Sequence, residues 1–197
     1  MKSVSMNALD MVRMCVFLFF FSGVLLLGTE LYKFKVRYDN LEYELYHNQK
    51  SADDIIKDLR KKLSHLDFVR TETECLAKNI YFESHTESRE GQLAVATVTM
   101  NRVQSQLFPR TVCGVVLDKS SKGCQFSWVC DGKTDIIHNR RAYVKSIELA
   151  EEVLLSNKRS RIITSDVLYY HADYVTPNWA KTMRMFGKIG AHLFYRK

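Results

Sequence analysis

Residues 14–29, MCVFLFFFSGVLLLGT, carry no charge and stand close to the start of the chain, behind Lys2 and Arg13. Few environments accept such a run. It is longer than the usual core of a signal peptide and slightly short of the roughly 20 residues that cross a bilayer. Met11, Val12 and a snorkelling Arg13 extend it to membrane thickness. A signal-peptidase site needs small residues at its last and third-last positions, and neither Leu26-x-Gly28 nor Phe21-x-Gly23 supplies that pair. Residues 1–29 are therefore expected to form an uncleaved signal-anchor, with secretion after cleavage as the alternative and a buried core helix as the plainer one. Lys33, Lys35 and Arg37 follow the run, so flanking charge does not orient it.

Residues 30–70 have no Gly or Pro, and their nine basic and eight acidic residues nearly cancel. Ile55, Ile56, Leu59, Leu63 and Leu66 recur at helical spacing. The expectation is a helical stalk, either one long helix or two with a break near His47–Ser51. Its apolar stripe reads as a docking face or a weak self-association seam, short for a coiled coil.

From residue 71 to 197 the pattern is that of a packed domain. With 197 residues in all and 46% of them hydrophobic, one domain plus an extension is affordable and whole-chain disorder is excluded. Glu72–Phe82, Glu90–Val103 and Arg140–Ser156 read as helices, separated by a polar turn at 84–89, a break at Pro109 and Gly114, and a loop-rich segment at 118–135. Ser165–Tyr174 is aromatic and β-branched, and Pro177 opens a final helical turn. The fold class is mainly α, with a small sheet.

Most of the net charge of +7 lies in this part, where 18 Lys and Arg face 13 Asp and Glu. The basic residues are scattered and no nucleic-acid motif accompanies them, so the surface suits an anionic polymer and no nucleic-acid partner is expected. Four cysteines, Cys75, Cys113, Cys124 and Cys130, suggest two disulfides in an exported domain, with three pairings open. No C-x-x-C pair favours zinc.

Glu83 is the candidate for chemistry. It ends an apolar helix beside Tyr81 and Phe82, and an apolar setting disfavours the ionised carboxylate and raises its pKa. Glycosidic bond cleavage needs such a proton donor. Glu87 and Glu90 are its local rivals, although Glu90 is better placed to begin the next helix.

The stretch Cys75-Leu-Ala-Lys-Asn-Ile-Tyr-Phe-Glu83, followed by Glu87, Glu90-Gly91-Gln92-Leu-Ala-Val-Ala96 and Asn101-Arg102-Val103, resembles the SleB/CwlJ-type cell wall hydrolases. The likeness continues through Cys113-Gly-Val-Val116, Cys124-Gln-Phe-Ser127, Cys130-Asp-Gly132, His171-Ala-Asp-Tyr174, Pro177-x-Trp179 and Ile189-Gly190-x-His192-x-Phe194-Tyr195. It covers about 74–196. The resemblance implies a goose-lysozyme-like, lytic-transglycosylase-like fold behind the anchor and stalk. It also implies peptidoglycan as substrate and Glu83 as the catalytic glutamate. One departure stands between the two glutamates, where the family commonly has Arg-Gly and this chain has His85-Thr86.

Around that acid, Glu87, Gln125, Ser127 and Asn178 are expected to hydrogen-bond the saccharide, and Trp128, Tyr174 and Trp179 to pack on sugar faces. No cofactor or metal is expected. The preferred activity is cleavage between N-acetylmuramic acid and N-acetylglucosamine by lytic transglycosylation. The rivals are a muramidase with Glu87 or Asp173 as second carboxylate, a zinc amidase using His171 and His192, and a non-catalytic wall-binding protein. Oligomeric state is left open, and the domain is expected on the wall side of the membrane.

Overall fold

The computed structural model describes residues 7–120 and 123–197, so Lys2 lies outside the described residues. The chain divides at Lys62/Leu63 into two units. The first consists of helix α1, which starts at Ala8 and ends in the second unit at Ser84. There is no break at His47–Ser51: without Gly or Pro, nothing there interrupts the hydrogen-bond ladder. Its apolar stretch near the N-terminus is not covered by protein. By length and composition the helix is able to cross a membrane.

In the second unit α1 buries Glu72, Thr73, Leu76, Ala77, Asn79, Ile80, Tyr81 and Ser84, while Glu74 and Lys78 on its other face stay exposed. Helix α2 (Arg89–Gln104) is capped by the Ser88 hydroxyl, which accepts from Gly91 N at 3.2 Å. Its middle, Ala94 to Thr99, is buried on every side, which is why the segment reads as apolar and small-residued rather than amphipathic. Ala96 packs with Leu76, Ile80, Val115, Trp128 and Leu149, while Ala94 and Val98 pack with Ile163, Val167 and Phe194. The helix is thus a partition between two cores. Thr97 and Thr99 satisfy their hydroxyls by donating to Leu93 O and Val95 O within it.

Helix α3 (Val112–Val116) runs through Gly114 instead of breaking there. The buried Glu72 carboxylate accepts the backbone N–H groups of Val112 and Cys113, a charge-assisted cap reaching from α1. A disulfide joins Cys75 to Cys113 across the same contact, and a second links Cys124 to Cys130. Between them lie a two-stranded ribbon, β1 (Lys119–Ser120) and β2 (Gly123–Cys124), and a 3-10 turn at Ser127–Val129. Helix α4 (Arg140–Leu155) buries Ser146, Leu149, Ala150 and Val153, one face at helical spacing.

The small sheet is antiparallel in the order β3 (Val167–Ala172), β5 (His192–Arg196), β4 (Arg184–Ile189). Pro177 precedes a 3-10 turn at Asn178–Thr182, as expected, but the hairpin that follows was not foreseen. A bulge in β3 between Val167 and Tyr169 sets the geometry of the site. Without it Val167 and Tyr170 would face opposite sides of the sheet; with it both meet the core around Phe194.

Candidate active site

Glu83 occupies the last turn of α1, where unsatisfied carbonyls oppose a negative charge. Its neighbours fix that turn. Phe82 stacks on Trp128 with centroids 4.8 Å apart, and Tyr81 packs edge-on to Tyr143 and face to face with His85. The Tyr81 hydroxyl accepts from Asn139 N at 3.0 Å, at the start of α4. The carboxyl is directed at Tyr170, whose hydroxyl donates to Oε2 at 3.3 Å.

Burial raises the Glu83 pKa from 4.5 to about 7, against the opposing pull of the Tyr170 hydrogen bond and the positive charge of Arg102. Near neutrality a large fraction of this carboxyl is therefore protonated. The Tyr170 hydroxyl is itself pushed well above 10, first by burial and then by the Glu83 charge, so it acts as a fixed donor.

Arg102 is buried among aromatic rings, its guanidinium lying 5.2 Å from the centroid of Phe108 and 5.1 Å from that of Phe126. Its Nε donates to Leu168 O at 2.7 Å, while Asn101 Nδ2 donates to Thr164 O and Val167 O. Both anchor β3 to α2, which keeps Tyr170 opposite Glu83. Asn79 joins this arrangement by donating to Thr99 Oγ1 and accepting from Trp128 Nε1.

Tyr170, Arg102 and Asn79 were not singled out from the sequence. Arg102 and Asn79 lie inside quoted motif blocks, but only the strand pairing reveals which way Tyr170 faces. Trp128, expected to pack on sugar, is buried, and its indole N–H donates to Asn79. Glu87, expected to hydrogen-bond the saccharide, reaches the sheet. Both its oxygens lie 3.3 Å from Ala191 N in the β4–β5 turn, where it clamps the backbone. Gly190 has φ +59° there, and a Cβ on it would fall 2.0 Å from Glu87 Oε2, so the clamp requires glycine. Gln125 is half-buried, Ser127, Tyr174 and Asn178 are exposed, and Trp179 packs against Tyr169, His171 and Tyr195.

His171 and His192 are neighbours on adjacent strands, with different commitments. His171 Nδ1 faces Ala172 O at 2.9 Å and its Nε2 faces the Tyr195 hydroxyl at 3.0 Å, which uses both ring nitrogens. His192 packs edge-on against Tyr170, and burial lowers its pKa. No three potential ligands converge among the described residues. Asp173 forms an ion pair with Lys188 at 2.7 Å that holds its pKa down.

A carboxyl protonated near neutral pH, seated in an aromatic turn, now stands beside a sequence match. The model of the Cell Wall Hydrolase family matches residues 86–195, more than half of the chain. This chain belongs to the cell wall hydrolase family. The match begins just beyond Glu83. Among relatives, the spore cortex-lytic enzyme of Bacillus cereus is 33% identical over 128 residues, covering 64% of this chain and 45% of that protein. The spore cortex-lytic enzyme of Bacillus subtilis is 31% identical, over 64% and 38% of the two chains. The chain thus spans less than half the length of these spore cortex-lytic enzymes. Two solved structures are also similar. The catalytic domain of the Bacillus cereus SleB protein is 32% identical, with a TM-score of 0.48 and coverage of 64% and 91%. The catalytic domain of the germination-specific lytic transglycosylase SleB from Bacillus anthracis is 33% identical, with a TM-score of 0.49 and coverage of 64% and 93%.

Proposed function

We propose that this chain cleaves peptidoglycan glycan strands between N-acetylmuramic acid and N-acetylglucosamine by lytic transglycosylation, with Glu83 as the one catalytic carboxyl. The raised pKa of Glu83 carries the reading. The neutral carboxyl gives its proton to the glycosidic oxygen as the bond to the muramoyl anomeric carbon breaks, and the glucosamine fragment departs with a new hydroxyl. The resulting carboxylate, held by the Tyr170 hydroxyl, takes the proton of the muramoyl 6-hydroxyl. That oxygen then closes on the anomeric carbon to give the anhydro ring. Proton and electron pairs balance, and Glu83 ends as it began.

A hydrolytic muramidase would need a second carboxylate to activate water. Glu87 is engaged by Ala191 N and Asp173 by Lys188, which favours the intramolecular route. For the zinc amidase, His171 would have to give up contacts at both ring nitrogens. Gln125, Ser127, Tyr174, Asn178 and Trp179 remain the residues proposed to hold the glycan, and the apolar stretch of α1 is proposed as the anchor that keeps the domain on the wall side.

Mass spectrometry of muropeptides released from purified peptidoglycan tests this directly. Anhydro ends are expected, unaffected by EDTA, with Glu83→Gln lowering their release by about 10²–10⁴-fold. Reducing ends would replace the transglycosylase by the muramidase. Freed stem peptides lost with EDTA and restored by zinc would replace it by the amidase. Wall binding with no released product would leave only a wall-binding protein.

A further inference from the structure

The unbroken course of α1 through His47–Ser51 joins two apolar stretches into a single seam. Written as heptads from Leu31, the first core position holds Leu31, Tyr38, Leu45, Ala52 and Leu59, and the second holds Phe34, Leu41, Asn48 and Ile55. Every large apolar member is more than half exposed. A helix with apolar side chains at these two positions presents one stripe that a lone chain leaves in water. Lys62, at the next second-core position, ends the seam.

The flanking charges identify what covers it. In two parallel helices in register, each residue just before a first-core position faces the residue five further on in its partner. Glu30 then meets Lys35 of the other copy, and Arg37 meets Glu42, both pairs opposite in sign and each formed twice by symmetry. All four side chains are exposed. On the single helix Glu30 pairs with Lys33 and Lys35 with Asp39, surface contacts of small value that a partner readily replaces. Further along, Glu44 faces Gln49, Ser51 faces Ile56 and Asp58 faces Leu63, so opposite-charge pairing is confined to the first two heptads. Asn48 is the polar core residue, of the kind that penalises slipped registers.

We propose that residues 31–59 form a parallel, in-register coiled coil with a second copy of this chain. The seam makes the protein a homodimer independently of whether the wall domain is a transglycosylase.

The test uses the full chain in detergent micelles with Cys15→Ser, since Cys15 is the unpaired cysteine among the described residues. Ile55→Cys lies off the centre of the seam, so it meets its own copy only in the parallel arrangement. Mild oxidation is expected to cross-link it, and to leave Lys50→Cys, on the opposite face, uncross-linked. Sedimentation analysis should give a dimer. Arg37→Glu should weaken dimerisation about tenfold by setting like charges against Glu42, and Glu42→Arg added to it should restore the dimer. A monomer at micromolar concentration, equal cross-linking at both sites, or a double variant no better than the single would each overturn the proposal. A dimer indifferent to these charges would assign association to another surface.

Discussion

At the scale of single residues, Glu83 is placed where a carboxyl least prefers to ionise, and this has two consequences, one for activity and one for stability. In its proposed role as general acid Glu83 must be protonated, so cleavage should decline as pH rises through about 7. Because the Tyr170 hydrogen bond lowers the Glu83 pKa, Tyr170→Phe should move that alkaline limb to higher pH, read from the pH profile of kcat/KM. Stability runs the same way. With a folded pKa above the unfolded 4.5, the native state binds the extra proton between the two values. The chain therefore loses stability as pH rises across that window, and the loss is complete above about 7. Glu83→Gln removes the effect, so it should be inactive yet more stable than wild type at pH 8 by up to about 3 kcal/mol, and equal to it near pH 4. Urea titrations of both proteins at the two pH values measure this difference.

At the scale of elements, α1 and α4 were legible from their helix formers, and α2 from a Pro-free run between Ser88 and Ser105 despite its β-branched Val95, Thr97, Val98, Thr99 and Val103; the cores agree with their apolar positions. Helix α3 was hidden by Gly114, which reads as a breaker until the capping carboxylate of Glu72 is seen across the fold. Hairpin β4–β5 was hidden for a different reason. Strand β4 is largely exposed, contains Gly187 and kinks at a bulge, so its side chains do not alternate cleanly. For the site, Glu83 was legible from its apolar neighbours, whereas the facing of Tyr170, 87 residues on, depends on the bulge between Val167 and Tyr169, a purely tertiary fact. Glu72→Gln should cost about 1–3 kcal/mol in urea unfolding, since the buried Val112 N–H and the part-buried Cys113 N–H lose a charged acceptor. Glu90→Gln, exchanging only its contact with the Ser160 hydroxyl, should change cleavage little and stability by less.

For the whole molecule, compartment and covalent structure are linked. If the uncovered apolar stretch of α1 is an anchor, the full chain should sediment with membranes, and protease added to spheroplasts should digest residues beyond it. Protection of that region would mean the opposite orientation. Thiol titration of denatured, unreduced full chain should find Cys15 alone, with Cys75–Cys113 and Cys124–Cys130 both closed. The first of these bridges closes a ring that includes Glu83, Glu87, all of α2 and the bend at Leu107–Arg110, where Arg110 is exposed. A protease that cuts after Arg110 therefore severs the backbone without separating the pieces. On a gel the nicked protein should run as one species until a reducing agent is added, and then as two. After such a break the turn that carries Glu83 would stay tethered to α3, so the proposed activity should outlast the nick for as long as the bridge is closed.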